Sequence, residues 1–477
     1  MPSCDALVLG AGVNGLACAQ RLQQAGRKVL VLEAAAQPGG GAGEAEFFPG
    51  FRAPALAHAT MGLDPRLAKV APVAMHPPLV TLANGLRVVG VVAEGPDAAR
   101  WADLHARLTR FAQVLAPFRR MPAPHPGGGN ALIPLLKRGL ALKALGRDEL
   151  RELMRLILIN VHDVAEDELT DPRLQGLLAF DATLGAWLGP RSPNSLILYL
   201  DRLARGPAPL MPVGGMGALA QALAKGLEVR CNARVARVLI ESERAVGVVL
   251  TSGEEIRAPL IASALNPRHT LHDLVGARAL DAGLHRRAGH IRMRGAAAKL
   301  HLALSALPET DTKARHVIAP SSDAVERAFN PVKYGQVPEA PVMEVVFPSA
   351  HDPGPPVLSA IVQYAPHAPS DPDAARAQML SNSLKVLEDH FPGLRSLTLH
   401  AELLMPQDIH ARYGLPDWHH GELAVEQMLF NRPLHGLHRH ATPVDGLWLA
   451  GAGGHPGGGI EGAAGWNAAE AILEARP

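Results

Sequence analysis

The chain has 477 residues, 48% of them hydrophobic and only 4% aromatic, with a formal net charge of +1. That length carries two or three domains with ample core. The balanced charge gives no electrostatic case for nucleic acid, and no apolar run reaches the roughly 18 residues of a membrane span.

The three cysteines, Cys4, Cys18 and Cys231, form no C-x-x-C pair. This excludes the usual redox dithiol and fits a reducing compartment, so a cytoplasmic location is expected. The apolar start lacks a basic segment and carries Asp5, and it reads as a strand rather than a secretion signal.

Ala6 to Leu9 is a short apolar run with the length of a buried parallel strand. It leads into Gly10-x-Gly12-x-x-Gly15. In a dinucleotide fingerprint the first glycine makes the turn, the second admits the pyrophosphate, and the third lets helix pack on strand. Asn14 to Ala25 is predicted as the helix, with its N-terminal N–H groups facing the phosphates and Gly26 as its stop. Lys28 to Leu32 is the second strand. Glu33 ends it, 18 residues beyond Gly15, where an acid can accept from a ribose diol. This stretch alone leaves FAD and NAD open.

A glycine-rich loop follows, Pro38 to Gly43, suited to wrapping a second phosphate. Leu79 to Val92 is predicted as a hairpin with Asn84-Gly85 as its turn. From Asp97 to about Asp167 the pattern is helical, most clearly at Leu150, Leu153, Met154, Ile157, Leu158 and Val161. Leu132 to Leu145 is apolar but carries Lys137, Arg138 and Lys143, with Arg147 beyond. Such a segment packs on its own domain or lies against a membrane surface. The acids Asp163, Glu166, Asp167 and Glu168 read as a solvated turn or helix cap.

Gly214-Gly215-Met216-Gly217 opens a helix through Ala224. A β-meander is expected next: Glu228–Cys231, Ala233–Glu241, Arg244–Ser252 and Glu255–Ala264. Ala298–Leu304, Val342–Phe347, Leu358–Tyr364 and Leu397–Met405 alternate like half-buried strands, with a helix from Asp373 to His390. Near the end, Gly446 to Leu473 reads as a strand, a glycine-rich loop and a small-residue helix. Glycines at that density admit something large and flat.

No metal-binding H-E-x-x-H, phosphate-binding P-loop or serine-triad signature is present. The spacing of His435, His438 and His440 fits no standard metal site, so no metal is expected. His455 falls inside the glycine loop, where an imidazole could take a proton or hold the loop. His420 and Arg432 precede the last strand and are candidates for the pocket wall.

With both ends in view, the chain resembles the phytoene desaturase family of FAD-dependent, amine-oxidase-type proteins over nearly its whole length. Within that family it is similar to the branch called pyridine nucleotide-disulphide oxidoreductase domain-containing protein 2. The residues that carry the resemblance are His420-Gly421-Glu422 with Gln427 and Arg432-Pro433, and His455-Pro456-Gly457-Gly458-Gly459 with Gly462, Gly465 and Asn467. Val346-Phe347-Pro348-Ser349 with Asp352 and Pro353 adds to them.

The resemblance implies an α/β fold: a Rossmann-like FAD-binding domain in three pieces, 1–75, 206–290 and 436–477. An inserted α+β substrate domain would take 76–205 and 291–435. It implies noncovalent FAD, with Gly10, Gly12, Val13, Asn14 and Gly15 on the pyrophosphate and Glu33 and Ala34 at the adenosine ribose. Gly40 and Gly41 would line the phosphate side, Val235 would touch adenine through its backbone, and Gly451, Gly453, Gly459 and Ile460 would lie along the flavin ring. His455, His420 and Arg432 are the candidates for chemistry.

The expected activity is removal of a hydride from an apolar small-molecule substrate to give C=C or C=N, with oxygen or a quinone as electron acceptor. A redox-neutral isomerase and a catalytically silent flavin-bound regulator are the alternatives. No nucleic-acid partner is expected, a peripheral membrane contact is left open, and the sequence does not set the oligomeric state. Gly457-Gly458-Gly459 departs from the desaturase pattern, which bears on the substrate and not on the cofactor.

Overall fold

The computed structural model describes residues 4–121, 139 and 143–475. Of the basic segment Leu132–Leu145, residues 132–138 and 140–142 lie outside the described residues. Among the described residues no helix is long and apolar enough to cross a membrane.

The chain begins with β1 (Ala6–Leu9), α1 (Val13–Gln24) and β2 (Val29–Leu32). A small hairpin, β3 (Glu44–Phe48) and β4 (Phe51–Pro54), follows. Then come β5 (Thr81–Ala83), β6 (Leu86–Val89) and β7 (Val92–Ala93). After a helical stretch lie β8 (Glu228–Arg230), β9 (Val235–Glu241), β10 (Arg244–Leu250), β11 (Glu255–Arg257) and β12 (Ile261–Ser263). The remaining strands are β13 (Ala297–Leu304), β14 (Arg315–Ile318), β15 (Val342–Val346), β16 (Val357–Gln363), β17 (Thr398–Leu404) and β18 (Leu447–Leu449).

One sheet is parallel throughout, in the order β18-β12-β1-β2-β8. Its central strands read Ala-Leu-Val-Leu and Val-Leu-Val-Leu because helices and loops bury both faces. α1 buries Leu16, Ala17, Ala19 and Leu22 in the core, each leucine contributing roughly 1.5–3 kcal/mol. The close approach of α1 depends on Gly15, since a methyl there would collide with the Gly10 carbonyl oxygen. Burial also pushes the Cys18 thiol of α1 up to about 12, so this cysteine is inert packing.

The second large sheet has eight strands in the order β17-β13-β16-β15-β14-β5-β6-β7. All its pairs are antiparallel except β14 with β5. The Pro372–His390 helix packs on it through Ala375, Met379 and Leu387. The Asn84-Gly85 turn forms as expected, both residues at positive φ.

Two expectations are corrected. The meander has three strands, β9 to β11, and the flanking segments Glu228–Arg230 and Ile261–Ser263 pair into the parallel sheet instead. Three of the four strands expected to be half-buried are closed off on both faces, every residue of β13, β15 and β16 being buried, while β17 is partly exposed as expected. Packing on both sides of the sheet overrides the alternation read from the sequence. The acidic run lies in a helix, Val161–Glu168, capped by the Asn160 side chain on the Asp163 N–H.

Candidate active site

A cavity of about 720 Å³ runs from the β1–α1 turn to the inner face of the eight-stranded sheet. At one end it is walled by the fingerprint. Gly10 takes φ +94, and its N–H donates to the Leu32 carbonyl at 2.8 Å. Gly12 is the N-cap of α1 and brings no side chain to the helix end. A methyl placed on Gly12 would meet nothing within 4 Å, so open space stands at the positive end of a twelve-residue helix, an arrangement that favours anions. Glu33 accepts from the Ala11 N–H at 2.6 Å through one oxygen and from Ala35 at 2.9 Å through the other. It thereby ties the turn to the end of β2, with lone pairs left for a diol.

Of the residues expected at a dinucleotide, Gly10, Gly12, Val13, Asn14, Gly15, Glu33, Ala34, Gly40, Gly41, Val235, Gly459 and Ile460 all line this cavity. Gly451 and Gly453 are not on its wall. They sit against other loops instead: measured from an added methyl, Gly451 lies 2.6 Å from the Ala264 carbonyl, and Gly453 meets the Pro267 ring and lies 2.8 Å from the His420 carbonyl. Their service is close loop packing.

The candidates for chemistry separate in the same way. His420 lines the cavity. His455 does not: its Nε2 is hydrogen-bonded to the Phe118 carbonyl at 2.9 Å, and only 1% of the residue is exposed. Burial, outweighing the hydrogen bond to that carbonyl, drives its pKa down to about 3. Arg432 is also off the wall. Its guanidinium, on a residue 1% exposed, donates to the carbonyls of His419, Gly421, Glu422, Gln427 and Ala452. That is a clamp on two loops, not a group facing a substrate.

The other end of the cavity holds residues that the sequence did not single out. His58, Arg202, Arg205, Arg315, Glu344, Trp418 and His419 line it, beside Leu56, Leu184, Ile361 and Leu415. Arg315 donates to Glu344 at 2.6 Å and to Asp181 at 3.4 Å. Glu344 is hydrogen-bonded to His58 Nδ1 at 2.9 Å, and His58 Nε2 to Ser359 at 3.1 Å. Burial would raise the Glu344 carboxyl, but Arg315 and His58 outweigh it and hold the carboxyl far below the usual range. Burial, then Lys299, pushes His58 down to about 4. Burial with Arg205 and Arg432 takes His419 to about 3, and burial with Arg432 takes His420 to about 4. These imidazoles are therefore neutral near pH 7, and His58 serves as a hydrogen-bonding group between Glu344 and Ser359.

Signals for this end were present in the sequence. Glu344 and Lys299 are charges inside otherwise apolar strands, and Arg202 and Arg205 share a face at the end of the Leu196–Leu203 helix. A charge in a strand buried on both faces needs a partner, and that rule would have marked both strands.

A parallel sheet whose β1–α1 turn opens into a cavity shared with the mixed eight-stranded sheet is the frame of an FAD-dependent oxidoreductase. The family model for flavin containing amine oxidoreductase matches residues 14–473, and the chain belongs to that family. It is 27% identical to rat pyridine nucleotide-disulfide oxidoreductase domain-containing protein 2, over 99% of this chain and 94% of that one. It is 29% identical to hydroxyneurosporene desaturase of Cereibacter sphaeroides, over 98% of this chain and 97% of that one. The fold matches putrescine oxidase bound to putrescine with a TM-score of 0.61 at 16% identity, over 99% of each chain.

Proposed function

We propose that the protein dehydrogenates a small molecule with an apolar body. The observation that carries this is the continuity of the cavity, from Gly12 and Glu33 to Ile361 and Glu344. FAD supplies the two-electron acceptor: a substrate C–H gives up a hydride and a proton leaves, forming C=C or C=N, with oxygen or a quinone taking the electrons on.

The chain's own residues orient the reactants and exclude water. Gly10 to Gly15 and Glu33 hold the dinucleotide, and Gly459 and Ile460 close over it from the C-terminal loop. Leu56, Leu184, Ile361 and Leu415 hold the substrate's carbon skeleton. Burial keeps His58, His419 and His420 neutral and weakly basic, so none of these three takes the proton, which leaves to water or to the product's own nitrogen.

Gly214-Gly215-Met216-Gly217, a glycine cluster with a helix after it that could suggest a second dinucleotide site, packs against the Glu44 carboxylate, which repels a diphosphate. Anaerobic stopped-flow mixing of the holoprotein with NADH or NADPH is expected to reduce the flavin only over minutes. Dithionite-reduced protein is expected to be reoxidised by air or by a soluble quinone. Millisecond reduction by either nicotinamide, or a reduced flavin inert to both oxidants, would overturn the proposal.

A further inference from the structure

The substrate end of the cavity contains hydrogen-bond donors with nothing to donate to. Arg205 is nine-tenths buried, and its Nε has no partner. Its Nη2 donates to Asp201, which Arg119 also engages. The guanidinium crosses to the C-terminal loop: a methyl on Gly458 would stand 3.0 Å from Arg205 Nη2 and 3.1 Å from His419 Nδ1. The Trp418 indole N–H is likewise buried and unpartnered. Arginine and indole nitrogens donate and never accept, so the missing partner is an acceptor.

Charge points the same way. Arg202, one turn before Arg205, has Asp181 at 3.5 Å, but Arg315 already occupies that carboxylate. Around this corner the guanidiniums of Arg119, Arg202, Arg205 and Arg315 face the carboxylates of Asp181, Asp201, Glu344 and Glu461. Arg432 is a fifth guanidinium, satisfied by carbonyls alone. The nearby Asp417 carboxyl, which burial pushes up to about 7, offsets it only in part. The excess amounts to at most one positive charge, which suits a carboxylate better than a doubly charged phosphate.

We propose that Arg205, with Arg202 and the Trp418 N–H, takes the carboxylate of a substrate whose carbon chain lies along Leu184, Ile361 and Leu415. This rests on reading the cavity as a flavoenzyme's substrate chamber. It sets the substrate class apart from both a neutral hydrocarbon and a cationic amine. A guanidinium fork matches a carboxylate's two oxygens, while the aliphatic wall excludes water from the chain.

The test is titration of the yellow holoprotein with octanoate, 1-octanol and octylamine at fixed ionic strength, read as the perturbation of the flavin's visible spectrum. Octanoate is expected to bind at least tenfold more tightly than either of the others. Arg205→Met is expected to lose that preference by on the order of 10- to 100-fold while keeping its FAD. Arg202→Gln, at the more exposed position, gives a second readout in the same direction if Arg205→Met fails to fold. Octylamine or octanol binding as well as octanoate would overturn the proposal. So would loss of FAD from Arg205→Met with the preference intact in Arg202→Gln, which would assign these donors to the flavin. A protein that takes up no FAD at all would instead overturn the reading on which this rests.

Discussion

At the residue scale, Asp417 shows how burial sets chemistry. Its Oδ1 accepts from the N–H groups of His419 at 2.7 Å and Gly421 at 3.3 Å, while Oδ2 has no hydrogen bond. Burial pushes its carboxyl up to about 7. The folded protein keeps this proton to higher pH than the unfolded chain does. The stability it contributes is therefore present below about pH 4 and lost as the pH rises through about 7. Asp417→Asn, which keeps an acceptor and removes the charge, is expected to gain roughly 1–3 kcal/mol over wild type at pH 8 and almost nothing at pH 4. Urea unfolding at the two pH values measures the difference, and equal shifts at both would contradict it. Nothing in the sequence around Asp417 announced this carboxyl, because desolvation by distant segments is a tertiary property. His455 illustrates the converse. Its place in the glycine loop was legible, but whether its ring faces the cavity or the Phe118 carbonyl depends on a segment more than 300 residues away.

At the element scale, the loops that close the site are organised by Arg432. Its five acceptor carbonyls come from residues 419–427 and from Ala452, the loop before the last helix. Lysine has at most three N–H donors on a point charge and cannot reproduce the fork. Arg432→Lys and Arg432→Met are both expected to lower the folding free energy by at least about 2 kcal/mol, as buried carbonyls lose their donor. Both should also release FAD more readily on gel filtration. Wild-type urea midpoints and FAD retention in Arg432→Lys would refute the clamp. The elements themselves were mostly readable: the first strand–helix–strand unit, the Asn84-Gly85 hairpin and the Pro372–His390 helix follow from local patterns. The meander was misread at its ends because β8 and β12 are too short to show by themselves which sheet they join. β14 was missed for a similar reason, since four residues, Arg-His-Val-Ile, carry little period.

At the scale of the whole molecule, the protein buries many histidines as neutral rings. Burial lowers His58, His390, His420 and His440 to about 4, and His419 and His455 to about 3. In the unfolded chain these rings titrate near 6.5. Their contribution is therefore present above about pH 6.5 and is lost as the pH falls toward 4, each ring by up to about 1.4 kcal/mol per pH unit. The urea midpoint is expected to fall steeply between pH 6.5 and 4.5, with net proton uptake on unfolding. A flat profile over that range would mean the rings are solvated.

The central claim is that FAD lies in the cleft above α1 and opens the cavity to redox chemistry, and the empty space at Gly12 allows a direct test. Gly12→Ala adds a methyl that meets no protein atom within 4 Å but enters the space needed by the pyrophosphate. FAD titration of the deflavinated protein, followed by visible absorbance alongside apoprotein stability, is the measurement. The account predicts apoprotein stability within about 1 kcal/mol of wild type, since glycine-to-alanine gains and N-cap losses are of that size, together with FAD affinity weakened at least tenfold. Wild-type FAD affinity in Gly12→Ala would contradict it.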